Sequence, residues 1–286
     1  MKQNLLQQMT ERMSEFSKGQ RLIAQYILQH YDRAAFLTAS KLGALVEVSE
    51  STVVRFANEL GFEGYPEMQR ALRELTRTNL TAAQRMAVAD SLMDKDTVLD
   101  KVLLGDAEKI RHTLDAIDRE AFHAAVEKIV SARNIYILGV RSAASLADFL
   151  TFNFRMMFDN VRPVAGTTGT EIFEQLLDIG PEDVLIAISF PRYSKRTVRA
   201  VEFAHRAGAD VVALTDSEAS PLAPDSDQLL TAHSDMASFV DSLVAPLSII
   251  NAMVASVSMR KQDEVTARLH RLEHIWDEYD VYDKNN

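Results

Sequence analysis

TASKLGALVEVSESTVVRFANELG, residues 38–61, reads as two short helices joined by a tight turn, the second of them polar and Arg-bearing. Leu42, Leu45 and Val46 form one apolar stripe, Val53, Val54 and Leu60 another, and Val48 sits between them, so the two helices are expected to pack across each other. Ser49 stands where an N-cap belongs, its hydroxyl placed to accept a bond from a first-turn amide. Glu50, Ser51, Thr52 and Arg55 are left on the open face of the second helix, the way a protein offers a helix to a DNA groove. Any αα-hairpin in a bundle shows such stripes, so the residues that follow carry weight.

Those residues are a helix stop, GFEGYP at 61–66, and a further helix over 67–78 bearing Arg70, Arg73 and Arg77. The run 36–72, with SESTVVRFANELGFEGYPEMQRAL inside it, resembles the N-terminal domain of the RpiR family of bacterial transcription regulators. In that family a helix-turn-helix domain precedes a sugar isomerase (SIS) domain. Upstream, SKGQRLIAQYILQHYDRAAFLTASKL is similar as well, so the resemblance covers about the first 78 residues. It implies a double-stranded DNA operator as partner, with Lys41, Ser49, Ser51, Thr52 and Arg55 as the candidate contacts. One departure is Glu47, which stands at the turn position where such proteins usually have Gly; a left-handed non-Gly residue there costs on the order of 1 kcal/mol.

At 286 residues the chain has room for two domains with separate cores. Its 47% hydrophobic and 25% charged residues exclude a disordered chain. Without cysteine, disulfides and thiolate metal sites are excluded, which fits a reducing cytoplasm, and no cofactor is expected. Residues 1–17 alternate polar and apolar positions at helical spacing and lack a secretory core. The longest apolar run, 239–259, contains Asp241, Pro246, Asn251 and four serines, so a buried or interface helix is expected and not a membrane span. A net charge of −10 opposes nucleic-acid binding in bulk, but residues 1–78 hold ten Lys and Arg against nine Asp and Glu, and the acidity lies beyond them. Such a reader is expected to rely on base contacts and dimerisation more than on bulk attraction.

Between Asn79 and Arg133 the signals are helical, with Asp96 or Thr97 capping VLDKVLLGDAEKIRHTLDAI and Asp118 capping a helix over 121–130. This gives a helical linker over 79–120. From Asn134 the period changes. IYIL at 135–138, VLIAI at 184–188 and VVAL at 211–214 are continuous β-branched runs, with weaker strands at 161–165 and 228–232. Helical segments over 143–158, 170–177, 197–207 and 240–259 alternate with them. The expected fold is therefore an all-α N-terminal domain over 1–78 and an α/β domain over 121–262, a five-stranded parallel sheet with helices on both faces, before a C-terminal helix and tail over 263–286. Ligands of such sheets gather at the strand C-terminal ends.

There the first strand runs into GVRSAAS at 139–145, whose free amides can receive an anion, and the third ends in SFPRYSKRT at 189–197. Two hydroxyl-bearing turns at neighbouring strand ends resemble the SIS fold, in which hydroxyls after the first and third strands hold a phosphosugar. TDS at 215–217 with SPL at 220–222 extends the likeness over about 120–260. The resemblance makes Ser142 the serine of the first phosphate turn, and Ser189 and Ser194 the Ser and Thr of the third. Arg141 stands where a second Gly is common, and Pro191 with Arg192 where Ser-Gly is usual. Two guanidiniums near one anion site suit an acidic ligand, or else they fill the pocket or pair with local acids. Tyr193 stacks on a sugar ring or covers the sheet edge. The candidate effector contacts are Gly139, Arg141, Ser142, Ser189, Arg192, Tyr193 and Ser194, for a phosphosugar or sugar acid.

An isomerase would need a general base, for which Glu171 and His233 are the neat candidates; each is equally a first-turn carboxylate or a loop histidine. A binding-only domain fused to a DNA reader is the expectation, with the isomerase as alternative. An RNA-binding or scaffolding role finds no aromatic platform or basic channel. One recognition helix reads few base pairs, so a homodimer or homotetramer is expected, with two helices about 34 Å apart. Its seam would be the segment 239–259 or the stripe Leu269, Leu272, Trp276 and Tyr279.

Overall fold

In a computed structural model of the chain, residues 5–79, 81, 83–86, 96–166, 168–236 and 238–282 are described. Two compact units result, Met1–Lys101 with Met236–Asp241, and Val102–Asp235 with Ser242–Asn286.

The first unit is helical: α1 (Leu5–Glu11), α2 (Lys18–Ala34), α3 (Ala39–Leu45), α4 (Glu50–Glu59) and α5 (Tyr65–Asn79). Hydroxyls start three of them. Ser17 and Gln20 form a reciprocal capping box at α2, Thr38 accepts from the Lys41 amide at α3, and Ser49 accepts from the Thr52 amide at α4. Gly61, at φ +89°, ends the second of the paired helices. Ile23, Ile27, Leu42, Val53, Phe56, Met68 and Leu72 are fully buried in one core. Tyr65 ties α5 to it by donating its hydroxyl to Leu37 O at 2.7 Å, and Arg73 donates to Ala35 O at 3.1 Å. One stripe position fails: Leu45 is 53% exposed, because the inward turn of α3 is completed by Ala39, Leu42 and Gly43, and Phe56 and Ala57 take up the facing space.

In the second unit, α6 (Val98–Ala116, its first residues in the other unit) and α7 (Arg119–Ser131) precede a five-stranded sheet. Its strands are β1 (Ile135–Gly139), β2 (Val161–Val164), β3 (Val184–Ile188), β4 (Asp210–Thr215) and β5 (Gln228–Thr231), in the order β2-β1-β3-β4-β5 and parallel throughout. Intervening helices are α8 (Ala144–Met157), α9 (Gly169–Gln175) and α10 (Lys195–Arg206), followed by α11 (Val244–Arg260) and α12 (Gln262–Glu278). Alternate strand residues serve opposite faces: Ile137, Ile186 and Val212 meet α7, α8 and α11, while Leu138, Leu185 and Val211 meet α9 and α10. The apolar run 239–259 does not form one helix. Met236 and Asp241 pair as a bridge, α11 begins only at Val244, and Ile249, Ile250, Met253 and Val257 bury within their own unit. No helix among the described residues is long and apolar enough to cross a membrane.

Candidate functional site

The turn between α3 and α4 is shaped by two residues. Glu47 takes φ +56°, the left-handed conformation that its position demands. Gly43 lets the chain fold back: a Cβ there would sit 2.8 Å from Val48 O, and the Val48 amide donates to Gly43 O at 2.9 Å. α4 is thereby set across α3 with its polar side outward. Lys41, Ser49, Ser51 and Arg55 are exposed and Thr52 is half-buried. The Ser49 hydroxyl lies 2.9 Å from that of Ser51 and 2.8 Å from that of Thr52, so all three hydroxyls belong to one cap network. Arg55 bonds only the Ser51 carbonyl, at 3.3 Å, and pairs with no carboxylate among the described residues.

Sequence reasoning missed the neighbouring end of α2. Ser17, Gly19 and Gln20 line an open concavity of about 560 Å³ together with Val48, Ser49, Thr52 and Arg55. The Ser-x-x-Gln capping box at 17–20 was its legible signal. Of the basic residues read on α5, Arg73 is engaged with Ala35 and Gln69, Arg70 is exposed, and the Arg77 side chain lies outside the described residues.

In the second unit β1 lies between β2 and β3, so the chain leaves β1 toward one edge and β3 toward the other. That reversal opens a crevice above the C-terminal ends of β1 and β3. Gly139 pairs with Ile188, which puts GVRS and SFPRYS side by side. A Cβ on Gly139 would come within 2.4 Å of Ala143 O, so this glycine serves the close approach of the turn. Arg141 and Arg192 both hold left-handed backbones, at φ +58° and +65°. Both are exposed, and neither side chain makes a hydrogen bond or ion pair with a described residue.

The hydroxyls divide. Ser142 is exposed, Ser189 is buried beside β4 with its amide on Leu214 O, and Ser194 caps α10 by accepting from the Arg196 amide at 3.2 Å. Tyr193 donates its phenol to Asp216 Oδ1 at 2.6 Å, bracing this turn against the end of β4. Thr197, unread in the sequence, has a fully buried hydroxyl with no hydrogen-bond partner in the first turn of α10. Of the two base candidates, the Glu171 side chain serves a helix cap, and His233 is held by its backbone. Glu171 closes a capping box with Thr168, its carboxylate accepting the Thr168 amide at 3.1 Å. His233 donates its backbone amide to the Thr113 hydroxyl at 2.9 Å, with its ring 5.5 Å from that of His112.

Known proteins fall in with this geometry. Residues 3–78 match the model of a helix-turn-helix domain of the rpiR family, and residues 128–256 match that of the SIS domain. The HTH-type transcriptional regulator HexR of Pseudomonas aeruginosa is 27% identical over 281 residues, 94% of each chain. HexR of Escherichia coli is 24% identical over 94% of this chain and 93% of its own. Among solved structures, the sugar isomerase domain of an RpiR transcription factor from Sphaerobacter thermophilus superposes with a TM-score of 0.59 at 28% identity, over 62% of this chain and 99% of that one. The NanR protein of Vibrio vulnificus, solved with ManNAc-6P, shares the fold over 95% of this chain and 99% of its own, with a TM-score of 0.57 and 22% identity.

Proposed function

Because the chain belongs to the RpiR family of helix-turn-helix transcription regulators, we propose that it reads a double-stranded operator through α4 and that a phosphosugar or sugar acid, held at the turns after β1 and β3, controls that reading. The observation that carries this is the open, hydroxyl-capped start of α4 with Arg55 exposed and, among the described residues, no carboxylate on it. A groove-facing arginine in that state is available for bidentate contact with guanine. Ser49, Ser51 and Thr52 flank it and Lys41 supplies a phosphate contact. The partner NanR carries in its solved complex, a phosphosugar, supports the ligand class, as do the two unpaired arginines at the sheet's crevice.

We assign the reading domain to 1–78, the linker to 79–120, the effector domain to 121–262 and the remainder to a C-terminal helix and tail. The protein works in the cytoplasm as a homodimer or homotetramer, since one α4 spans too few base pairs to select a site. Binding, and not isomerisation, is its task, because Glu171 is spent on a helix cap. Ligand control requires only that effector-bound and effector-free forms differ in operator affinity. A gel shift against the gene's own upstream region, with and without a panel of sugar phosphates and sugar acids, tests the reading. Release or tightening with one of them is expected; unaltered binding with every member removes the effector role, and turnover of a sugar phosphate lost on Glu171→Gln promotes the isomerase.

A further inference from the structure

Helix α6 presents its polar side to its own unit and its leucines to solvent. Leu103, Leu104 and Leu114 are 60%, 68% and 58% exposed. Two bonds set this rotation: Ser242 Oγ donates to Asp106 at 2.6 Å, and the Thr113 hydroxyl accepts the His233 amide at 2.9 Å. Lys109, beside Asp106 at 3.5 Å, completes the inward polar side. Leu103, Ala107, Ile110 and Leu114 follow one another at intervals of four, three and four, the spacing of a helix-pairing seam. Next to the C-terminal half of that stripe, α6, α7 and α11 line an open, apolar cavity of about 260 Å³, with Ile110, Leu114, Ile117, Phe122 and Ile249 in its wall. A continuous apolar surface of this kind, rimmed by charge, marks an interface.

We propose that α6 is the dimer seam, packed antiparallel against α6 of a second copy about a two-fold axis near residues 108–109. The inference rests on the paired readers proposed above. Three features select a second copy as the occupant. The stripe is symmetric about its own middle, so Leu103 meets the partner position 114 and Ala107 meets 110, as an isologous contact demands. The flank carries Glu108 and Arg111, 51% and 65% exposed and joined within the helix at 2.6 Å. Antiparallel pairing about this axis keeps the two flanks on one side, which sets each Glu108 beside the other copy's Arg111 and closes a four-charge ring. Finally, leucines at one end of the stripe and the cavity at the other are brought together twice by a two-fold, each copy's Leu103 and Leu104 reaching the other's cavity.

Sedimentation of the full-length protein over a range of concentrations tests it, using the wild type, L103E, L114K and an equimolar mixture of the two variants. Each variant alone is expected to raise the dimer dissociation constant at least tenfold at unchanged helicity, and the mixture to restore association, because position 103 of one copy faces 114 of the other. Variants with wild-type mass would overturn the seam and leave the paired readers standing; a wild type monomeric at every concentration would overturn both. A mixture that stays monomeric defeats the antiparallel register. As a readout independent of charge, the double variant A107C/I110C in this otherwise cysteine-free chain is expected to give a covalent dimer on a non-reducing gel, and its absence counts against the proposal.

Discussion

Arg55 and Glu47 show how far single side chains decide the reading domain. Among the described residues the Arg55 side chain has one bond, to a carbonyl of its own helix, so Arg55→Ala removes no contact between elements there. Its loss is expected to weaken the specific complex by about 1–3 kcal/mol, roughly 5- to 150-fold, with little change for random duplex, as footprinting and a titration at fixed salt would report. Glu47 sits at φ +56° with its side chain exposed. Glu47→Gly should therefore stabilise the protein by about 1 kcal/mol in urea unfolding, by relieving the left-handed backbone. Gly43 behaves oppositely, since Gly43→Ala thrusts a methyl into Val48 O and opens the angle between α3 and α4.

Among the elements, the foot of the sheet is where charge and packing meet. Asp183, buried just before β3, accepts Arg133 Nε at 2.9 Å and Asn134 Nδ2 at 2.9 Å on one oxygen, and Arg133 Nη2 at 2.5 Å and the Gly180 amide at 2.9 Å on the other. Burial pushes its carboxyl upward, but the bonds from Arg133, Asn134 and Gly180 together outweigh that and hold it below the usual carboxylate range. A depressed folded pKa means that the stability it contributes is present above the ordinary carboxylate pKa and is lost as pH falls through the folded value. Asp183→Asn should flatten the acid limb of a stability–pH curve below about pH 4 and cost about 2 kcal/mol at neutral pH, less than a fully buried pair because Arg133 is half exposed. At the opposite end of the strands, the side chains of Arg141 and Arg192 have no such bonds among the described residues. Alanine at either is expected to leave thermal stability within about 1 kcal/mol and operator binding unchanged, while weakening the effector about tenfold or more in a thermal-shift titration.

For the protein as a whole, a near-neutral reader joined to an acidic body limits attraction to DNA. Non-specific binding is expected to be modest and to vanish by moderate salt, with few counterions released, whereas a strong, salt-resistant affinity for random duplex would contradict the assignment of groove contacts to α4. In the proposed dimer, pairing of two copies supplies the selectivity that one helix lacks, and a ligand that alters the spacing of the pair alters occupancy.

Element types and the order of the two domains were legible along the chain, because caps, stops and apolar periods are local: Ser49, Gly61 and the runs at 135–138 and 184–188 each act within a few residues. The parallel sheet with helices on both faces followed from their alternation. Local signals could not rank the strands, and it is the order β2-β1-β3-β4-β5 that sets the crevice between the turns of Arg141 and Arg192. Nor could they show that Leu45 faces solvent or that the 239–259 run breaks at a bridge before α11. Which side of α6 looks inward hangs on Ser242 and His233, more than a hundred residues away in sequence. Contacts across that distance form only once the chain has closed on itself, so only the tertiary structure could decide them.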